Sequence, residues 1–375
     1  MKKVLFIFCI AIGLNCNARN VHETEIDGIY YTLFDNDSYA IVEKSFYGED
    51  GYYRGNITIP SYVTYYSDTY KVTGISIKAF QNCGGLRRVT IPNSIKEISY
   101  SAFENCNVLT EVEIPNSVSS IGNNAFSGCN NLNFHEYDNG LYLGNSENPY
   151  YALIKAKSKN ITTCEINDRC EVVADGAFYE CEYLINVIIP NSVKFIGDLT
   201  FSGCKRITDI TIPDSVEKIG YYTFSRCTNL KKITMPKNLK KIDSFAFNEC
   251  SGLITITIPN GVEDISVGAF KNCRSLNKIT IPNRTKDISY SAFSGCTGLE
   301  TVIIESANEQ LQIKKNAFEK CPNLKSITCE AKIPPLCENL GIDVDKVILY
   351  VPKESVGLYE SSKEYWPYIK KIEGK

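Results

Sequence analysis

An α/β-type repeat solenoid of 23-residue coils with short strands, closed by a β-rich N-terminal cap and a C-terminal strand-helix cap, is what this sequence predicts. Three observations carry the prediction. The pattern A/T-F-x-x-C-x-x-L/I-x-x-I-x-I-P-x-S-V-x-x-I occurs ten times, its phenylalanine falling at Phe80, Phe103 and Phe126, at Phe178, Phe201, Phe224, Phe247, Phe270 and Phe293, and at Phe318. Within each run the spacing is 23 residues; the step from Phe126 to Phe178 is 52, an extra unit plus an insertion, and that from Phe293 to Phe318 is 25. Proline recurs at one corner, at Pro92, Pro115, Pro190, Pro213, Pro236, Pro259 and Pro282. A fixed period in the twenties marks a solenoid, in which each turn buries its apolar side only against its neighbours.

Each element follows from the residues in order. Lys2 and Lys3, an apolar run over residues 4–14 and the small triplet Cys16, Asn17, Ala18 have the layout of a secretory signal peptide spanning 1–18, cleaved after Ala18. The run is shorter than the roughly 20 residues a membrane span needs, so no transmembrane segment is expected. Cys16 also stands where a lipidation signal would put its cysteine, giving a rival reading of a lipid anchor; Asn15, where Gly, Ala or Ser is usual, argues against it. Residues 19–72 read as a β cap with a degenerate first coil, from strand-like, tyrosine-rich stretches at 28–33, 39–42 and 52–59.

The coils occupy 73–328. In the unit beginning at Ala79, steps of three from Phe80 to Cys83 and Leu86 suit a helical or 3₁₀ turn, and the alternation Val89, Thr90, Ile91 suits a half-buried strand. Pro92 ends that strand because it has no N–H to give the ladder. Asn93 and Ser94 turn the chain, and Ile95 and Ile98 return inward in a second short extended piece. An insertion at about 135–160 carries the turn signals Asn139-Gly140 and Gly144-Asn145, so residues 141–143 and 150–154 are expected to pair as a β-hairpin. The repeat resumes weakly, with Ile166 in the strand slot, Asn167 for the proline, and Cys170 and Val173 in the returning slots. Residues 329–375 form the C-terminal cap: a strand at 347–351, then an amphipathic helix over 353–370 carrying Tyr365 and Trp366.

Composition removes several function classes. With 40 basic and 43 acidic residues the chain is mixed and mildly acidic, which argues against nucleic acid as a partner. Sixteen cysteines in an exported protein would ordinarily suggest disulfides. Ten of them (Cys83, Cys106, Cys129, Cys181, Cys204, Cys227, Cys250, Cys273, Cys296, Cys321) share one repeat slot, so they are expected to stack as small buried thiols whose parallel side chains fit disulfide geometry poorly. His22 and His135 are the only histidines, and no C-x-x-C pair has metal-ligand spacing, so neither a metal site nor a cofactor is expected. No nucleophile elbow, P-loop or dinucleotide fingerprint occurs. No catalytic residue can be assigned, and the protein is not expected to be an enzyme.

The Cys-x-x-Leu-x-x-Ile-x-Ile-Pro-x-Ser-Val-x-x-Ile-x-x-x-Ala-Phe unit resembles the Treponema pallidum type of leucine-rich repeat found in BspA-like surface proteins. The resemblance covers residues 57–328, and Asp27-Gly-Ile-Tyr-Tyr31 and Leu349-Tyr-Val-Pro-Lys353 are similar to the caps of Bacteroides members. It implies a leucine-rich repeat solenoid, secreted or on the bacterial outer envelope, acting as a non-catalytic binding protein. Some such proteins are adhesins for host matrix proteins such as fibronectin and fibrinogen.

Binding is then expected on the solenoid face. Arg88, Glu111, Asn186, Asp209, Lys232, Thr255, Lys278 and Thr301 should form one row, and Thr90, Glu113, Ile188, Thr211, Thr234, Thr257 and Thr280 the next. Such rows suit a protein or a glycan rather than a small molecule. Lys232 and Lys241, in a lysine-rich coil with Lys231, Lys237 and Lys240, and with Lys205, Arg206, Lys218 and Arg226 just before it, suggest a patch for an acidic partner. Tyr142, Tyr150 and Tyr151 in the insertion are a further candidate contact surface, against the alternative that they pack the hairpin onto the solenoid. The expected assembly is a monomer; the alternative role is an envelope spacer without a specific ligand, in which the threonine rows serve only as strand formers.

Overall fold

The computed structural model describes residues 21–45, 52–305 and 311–375, apart from 363 and 365; the predicted signal peptide and Cys16 lie outside the described residues. The chain winds into a β-solenoid of about 13 turns. Two parallel ladders run along it. The first is built from strands such as Gly85–Thr90 and Glu111–Glu113, in which Arg88 lies beside Glu111 and Val89 beside Val112. The second is built from two-residue strands such as Lys218–Ile219, Lys241–Ile242, Asp264–Ile265 and Asp287–Ile288, stacked in register.

The three-step segment of each coil is not a helix. Its N–H groups close back three residues, as from Cys83 to the Phe80 carbonyl at 3.2 Å and from Leu86 to Cys83 at 3.0 Å. Others reach the next coil, as from Phe80 to the Ala102 carbonyl at 2.7 Å and from Asn82 to Glu104 at 2.8 Å. A helix cannot propagate here because two residues per coil are left-handed. One is two places after the phenylalanine, filled by Asn82, Asn105 and Asn272, by Gly128, Gly203 and Gly295, and elsewhere by Glu180, Arg226, Glu249 and Lys320; the other is two places before it. Asparagine and glycine tolerate that conformation best, which accounts for their recurrence.

Inside, the phenylalanines stack face to face. Centroid separations in the two runs are 4.9 to 5.4 Å and the planes lie within 7° of parallel. The cysteine slot has its own chemistry: Cys106 Sγ donates to the Phe80 carbonyl at 3.0 Å, and Cys227, Cys250 and Cys273 do the same to Phe201, Phe224 and Phe247 at 3.1, 3.0 and 3.2 Å. A small apolar side chain with a weak donor fits this site, where a larger one would clash with the coil below. All fourteen described cysteines are buried thiols.

Both ends are closed. At the N-terminus Val21–Ile26, Ile29–Phe34 and Tyr39–Glu43 form an antiparallel meander that joins Asp68–Ile75, itself hairpinned with Tyr62–Tyr65. Tyr53 plugs the phenylalanine column, its ring 4.7 Å from Phe80, while its hydroxyl donates to the Glu43 carbonyl at 2.9 Å and accepts from the Tyr30 N–H at 3.0 Å. At the C-terminus the predicted helix over 353–370 is corrected. Among the described residues of that stretch only Val356–Glu360 is α-helical, flanked by short 3₁₀ turns; Tyr365 lies outside the described residues, and Lys371–Gly374 adds an unforeseen parallel strand to Ile348–Val351. Trp366 and Tyr359 are fully buried against the last coil, with Trp366 Nε1 donating to the Pro335 carbonyl at 2.8 Å. Those anchors fix the chain in a path too tight for a longer helix.

The insertion contains the expected hairpin, Gly140–Leu143 with Ala152–Ala156, and a third strand, His135–Tyr137. Its last strand pairs in parallel with Val172–Val173 and so joins the second ladder. The resumed coil behaves as expected: Thr163–Glu165 pairs with Asn186–Ile188, and the Cys170 N–H closes on the Asn167 carbonyl at 2.9 Å, as Ile95 does on Pro92 at 3.1 Å. Along the first ladder one predicted strand is absent. Residues 254–258 keep Ile256 and Ile258 buried and Thr255 and Thr257 exposed, without regular pairing.

Candidate functional site

The first ladder presents the expected rows. Arg88 is beside Glu111, Asp209 beside Lys232, and Lys278 beside Thr301, all pointing outward, with Asn186 exposed on the strand between the insertion and Asp209. Thr90 with Glu113 and Thr211 with Thr234 form the second row. Register is fixed by the alternating buried residues, since a slip of one place would turn every Ile outward.

Many charges on the solenoid pair one coil away. The Arg88 guanidinium meets the Glu111 carboxylate, Lys194 meets Glu171 at 2.8 Å, Lys205 meets Glu182 at 2.7 Å and Lys286 meets Glu263 at 2.7 Å. Such exposed pairs contribute little to stability, but they cancel local potential. This weakens the proposed basic patch. Lys218 pairs with Asp243 at 2.6 Å, Arg226 with Glu249 at 3.6 Å, Lys237 with Asp214 at 3.1 Å, and Lys241 with Asp243 at 3.1 Å and Asp264 at 3.5 Å. Moreover, Lys232 lies on the first ladder and Lys241 on the second, so the two do not share one face.

Two of the insertion tyrosines are corrected. Tyr142 and Tyr151 are buried, not on a contact surface. The Tyr142 hydroxyl accepts from the Asn167 N–H at 3.1 Å, and the Tyr151 hydroxyl lies 2.9 Å from the carbonyls of both Asn116 and Val118. They pack the insertion onto the solenoid because a phenol satisfies buried backbone groups while filling apolar space. Tyr150 is half-buried, edge-on to His135, Tyr137 and Tyr142.

Where the insertion leaves the first ladder, it forms a cleft of about 380 Å³ whose lining includes Glu111, Glu113, Asn133, His135, Asn145 and Pro149. Its outer wall is held rigidly. Asn145 Nδ2 donates to the Ile114 carbonyl at 2.9 Å and to Asn116 Oδ1 at 2.7 Å, while its own Oδ1 accepts from the N–H groups of Glu147 and Asn148 at 3.1 and 3.0 Å. Only the Gly144-Asn145 turn signal foretold this wall; the participation of His135, Glu113 and Asn133 depends on how the insertion folds back.

The buried thiols shift in both directions, Cys129 being lowered chiefly by its hydrogen bond with Cys106. Burial pushes Cys227 and Cys321 up to about 12, leaving them as neutral thiols near pH 7. Asp175 is lifted to about 7 by burial first and by the nearby Asp198 carboxylate second. Its Oδ1 accepts the Asp198 N–H at 2.8 Å, and Asp198 in turn accepts from Tyr221 at 2.8 Å, a structural ladder rather than an open site.

Fold and face together define a leucine-rich repeat solenoid that displays in-register polar rows. The family model of the BspA type leucine-rich repeat region matches residues 41–146, 155–273 and 240–340, and the chain belongs to that family. It is similar to a leucine-rich repeat protein from Bacteroides ovatus, at 24% identity over 94% of this chain and 100% of that one, with a TM-score of 0.44. It is also similar to a leucine-rich cell surface protein from Faecalibacterium prausnitzii, at 25% identity over 94% and 95%, with a TM-score of 0.35. The T. pallidum leucine-rich repeat protein matches at 22% identity over 68% of this chain and 91% of that one, with a TM-score of 0.30. A comparison with curated proteins finds no match.

Proposed function

We propose that the protein is exported and acts at the bacterial cell surface or in the surrounding medium as a non-catalytic binding protein, recognising a host or matrix protein or a glycan. The observation that carries this reading is the outward first-ladder face, which presents Arg88 and Glu111 on neighbouring coils before the insertion and Asn186, Asp209, Lys232 and Lys278 on coils after it. Coils stacked about 4.8 Å apart offer a row of fixed polar groups to an extended ligand, and their rigidity lowers the entropy lost on binding. The cleft of Glu111, Glu113 and His135 interrupts an otherwise shallow face and gives a ligand a place to register. Family membership supports an extracellular role, as does the layout of the first 18 residues.

The test is binding of the purified protein to arrays of extracellular-matrix proteins and of glycans. Saturable binding that is lost on Asp209→Lys together with Lys232→Glu supports the reading. A second reading, an envelope spacer, is favoured by the Arg88–Glu111 pair, since such charges are already engaged between coils. Absence of saturable binding across both arrays supports the spacer.

A further inference from the structure

The second ladder carries an ordered pattern of charge, part of which is paired within the chain: Lys218 with Asp243, Lys241 with Asp264 and Lys286 with Glu263. Over four successive coils it presents Lys218, Lys241, Asp264 and Asp287 in register, and the residues just before them are Glu217, Lys240, Glu263 and Lys286. Consider a twofold axis in the plane of this face, at right angles to the solenoid axis, passing between the coils of Lys241 and Asp264. The operation reverses the coil order and keeps each row opposite itself. Lys241 then faces Asp264 of the second copy and Lys218 faces Asp287; Lys240 faces Glu263 and Glu217 faces Lys286. Every pair is opposite in sign.

An apolar ridge is centred on the same axis. It runs along the corner beside the ladder, through Tyr221, Tyr222, Phe245, Val267 and Tyr290; Tyr221, Val267 and Tyr290 are 43, 37 and 50% exposed. The operation sets Tyr221 against Tyr290, while the Phe245 ring, which covers Gly268 within its own chain, lies beside the axis. Within one chain the Tyr222 and Phe245 rings already stack at 4.9 Å and 11°, with Tyr221 edge-on to Tyr222 at 4.2 Å.

Tyr222 and Phe245 sit in the left-handed slot at φ +54° and +58°, as Lys78, Ser101, Asn124, Gly176, Leu199, Gly268, Ser291 and Asn316 do in other coils. They are the two aromatic residues of that slot, and they fall in the coils of Lys218 and Lys241.

We propose that this face is an isologous interface with a second copy of the same chain, the two solenoids lying antiparallel, in place of the monomer expected from the sequence. Charge complementarity selects the second copy: a partner of single-sign charge would meet like charges on half of each row. The proposal is independent of the first-ladder ligand face, so either can fail alone.

Sedimentation equilibrium on the purified full chain tests it. The wild type is expected to show a concentration-dependent dimer. Lys241→Asp and Asp264→Lys should each weaken dimerisation tenfold or more, because each brings like charges together. Mixing the two variants should restore a dimer: the carboxylate introduced by the first then faces the ammonium introduced by the second, while the native Lys241 and Asp264 meet at the other contact. No role confined to one chain predicts that rescue. Tyr290→Ser, at a half-exposed position of the ridge, should keep the thermal midpoint and lose the dimer. A wild type that stays monomeric, a dimer indifferent to these substitutions, or a mixture that remains monomeric overturns the proposal.

Discussion

The regular block from Phe178 to Phe318 and the insertion at 135–160 solve the same problem by opposite means. In the block, each coil meets its neighbours through identical residues: phenylalanine on phenylalanine at 5.1 to 5.4 Å and a thiol on each preceding phenylalanine carbonyl in most coils. In the insertion, no residue repeats. Tyr151 and Asn145 instead reach backbone carbonyls of the preceding coil one by one. Repetition spreads stability over many equivalent contacts, so a change at one coil is felt through nearest neighbours. The insertion concentrates its attachment in a few hydrogen bonds, and it also creates the cleft. The buried core divides into two clusters within the insertion, Leu143, Tyr151, Ala152 and Ile154 joining the first and Tyr142 and Leu153 the second.

The largest expected effect tests the repeated column. Phe247→Ala removes a fully buried ring stacked on both sides and should destabilise the C-terminal block by about 3–5 kcal/mol. Guanidinium unfolding checks it, and a loss under about 1 kcal/mol would mean that the stack contributes little beyond filling space.

Next is the junction between the regions, where Asp175 sits. Its folded-state carboxyl titrates at about 7, whereas the unfolded chain titrates near 3.9, with about 1.4 kcal/mol for each unit of difference. The native state therefore holds a proton that the unfolded chain releases earlier. The associated stability is complete below about pH 4 and is lost as pH rises through about 7. Asp175→Asn, uncharged throughout and still able to accept the Asp198 N–H, should gain on the order of 2–4 kcal/mol over wild type at high pH. Thermal melts from pH 4 to 9 would show the two curves parting; curves that stay parallel would refute this account.

Tyr151→Phe probes the insertion alone. Deleting the hydroxyl leaves the Asn116 and Val118 carbonyls without that donor, at a cost of about 1–2 kcal/mol. Amide exchange in Gly140–Leu143 and Ala152–Ala156 should accelerate while the coils from Phe201 onward keep their protection. Uniform acceleration would mean that the two regions unfold as one. The smallest effect is expected for Arg88→Ala: the pair with Glu111 is about half exposed on both sides, so the urea midpoint should not move.

The inward residues are legible because they repeat. Period alone assigns Phe80, Cys83, Leu86, Val89, Ile95 and Ile98 to the interior, and each is buried. Of the helical or 3₁₀ turn read from their three-residue steps, the bonds closing back three residues match the 3₁₀-type turn and no continuous helix forms. Asn82 and Lys78 adopt left-handed backbone, and the bonds between coils replace those a helix would make. Asparagine or glycine two places after phenylalanine signals that turn in six coils, while Glu180, Arg226, Glu249 and Lys320 take the same conformation without the signal. The C-terminal helix is shorter than its pattern suggests because Tyr359 and Trp366 look amphipathic in sequence while being pinned by separate carbonyls, Ala331 and Pro335. Of the candidate contacts, the first-ladder row is readable from strand alternation. The burial of Tyr142 and Tyr151, the separation of Lys232 from Lys241 and the ion pairing of Lys237 and Lys241 are not.

Sequence by itself determined the coil, its period, its inward columns and its family, because a side chain's direction within a repeated turn depends on local spacing. Only the tertiary structure decided which charges cancel, which tyrosines are buried, where the cleft opens and which rows share a face. Those properties depend on residues about 23 places apart in the chain that stacking brings within contact, as Arg88 and Glu111 are. Pairwise electrostatics and burial follow that distance in space, not distance along the chain.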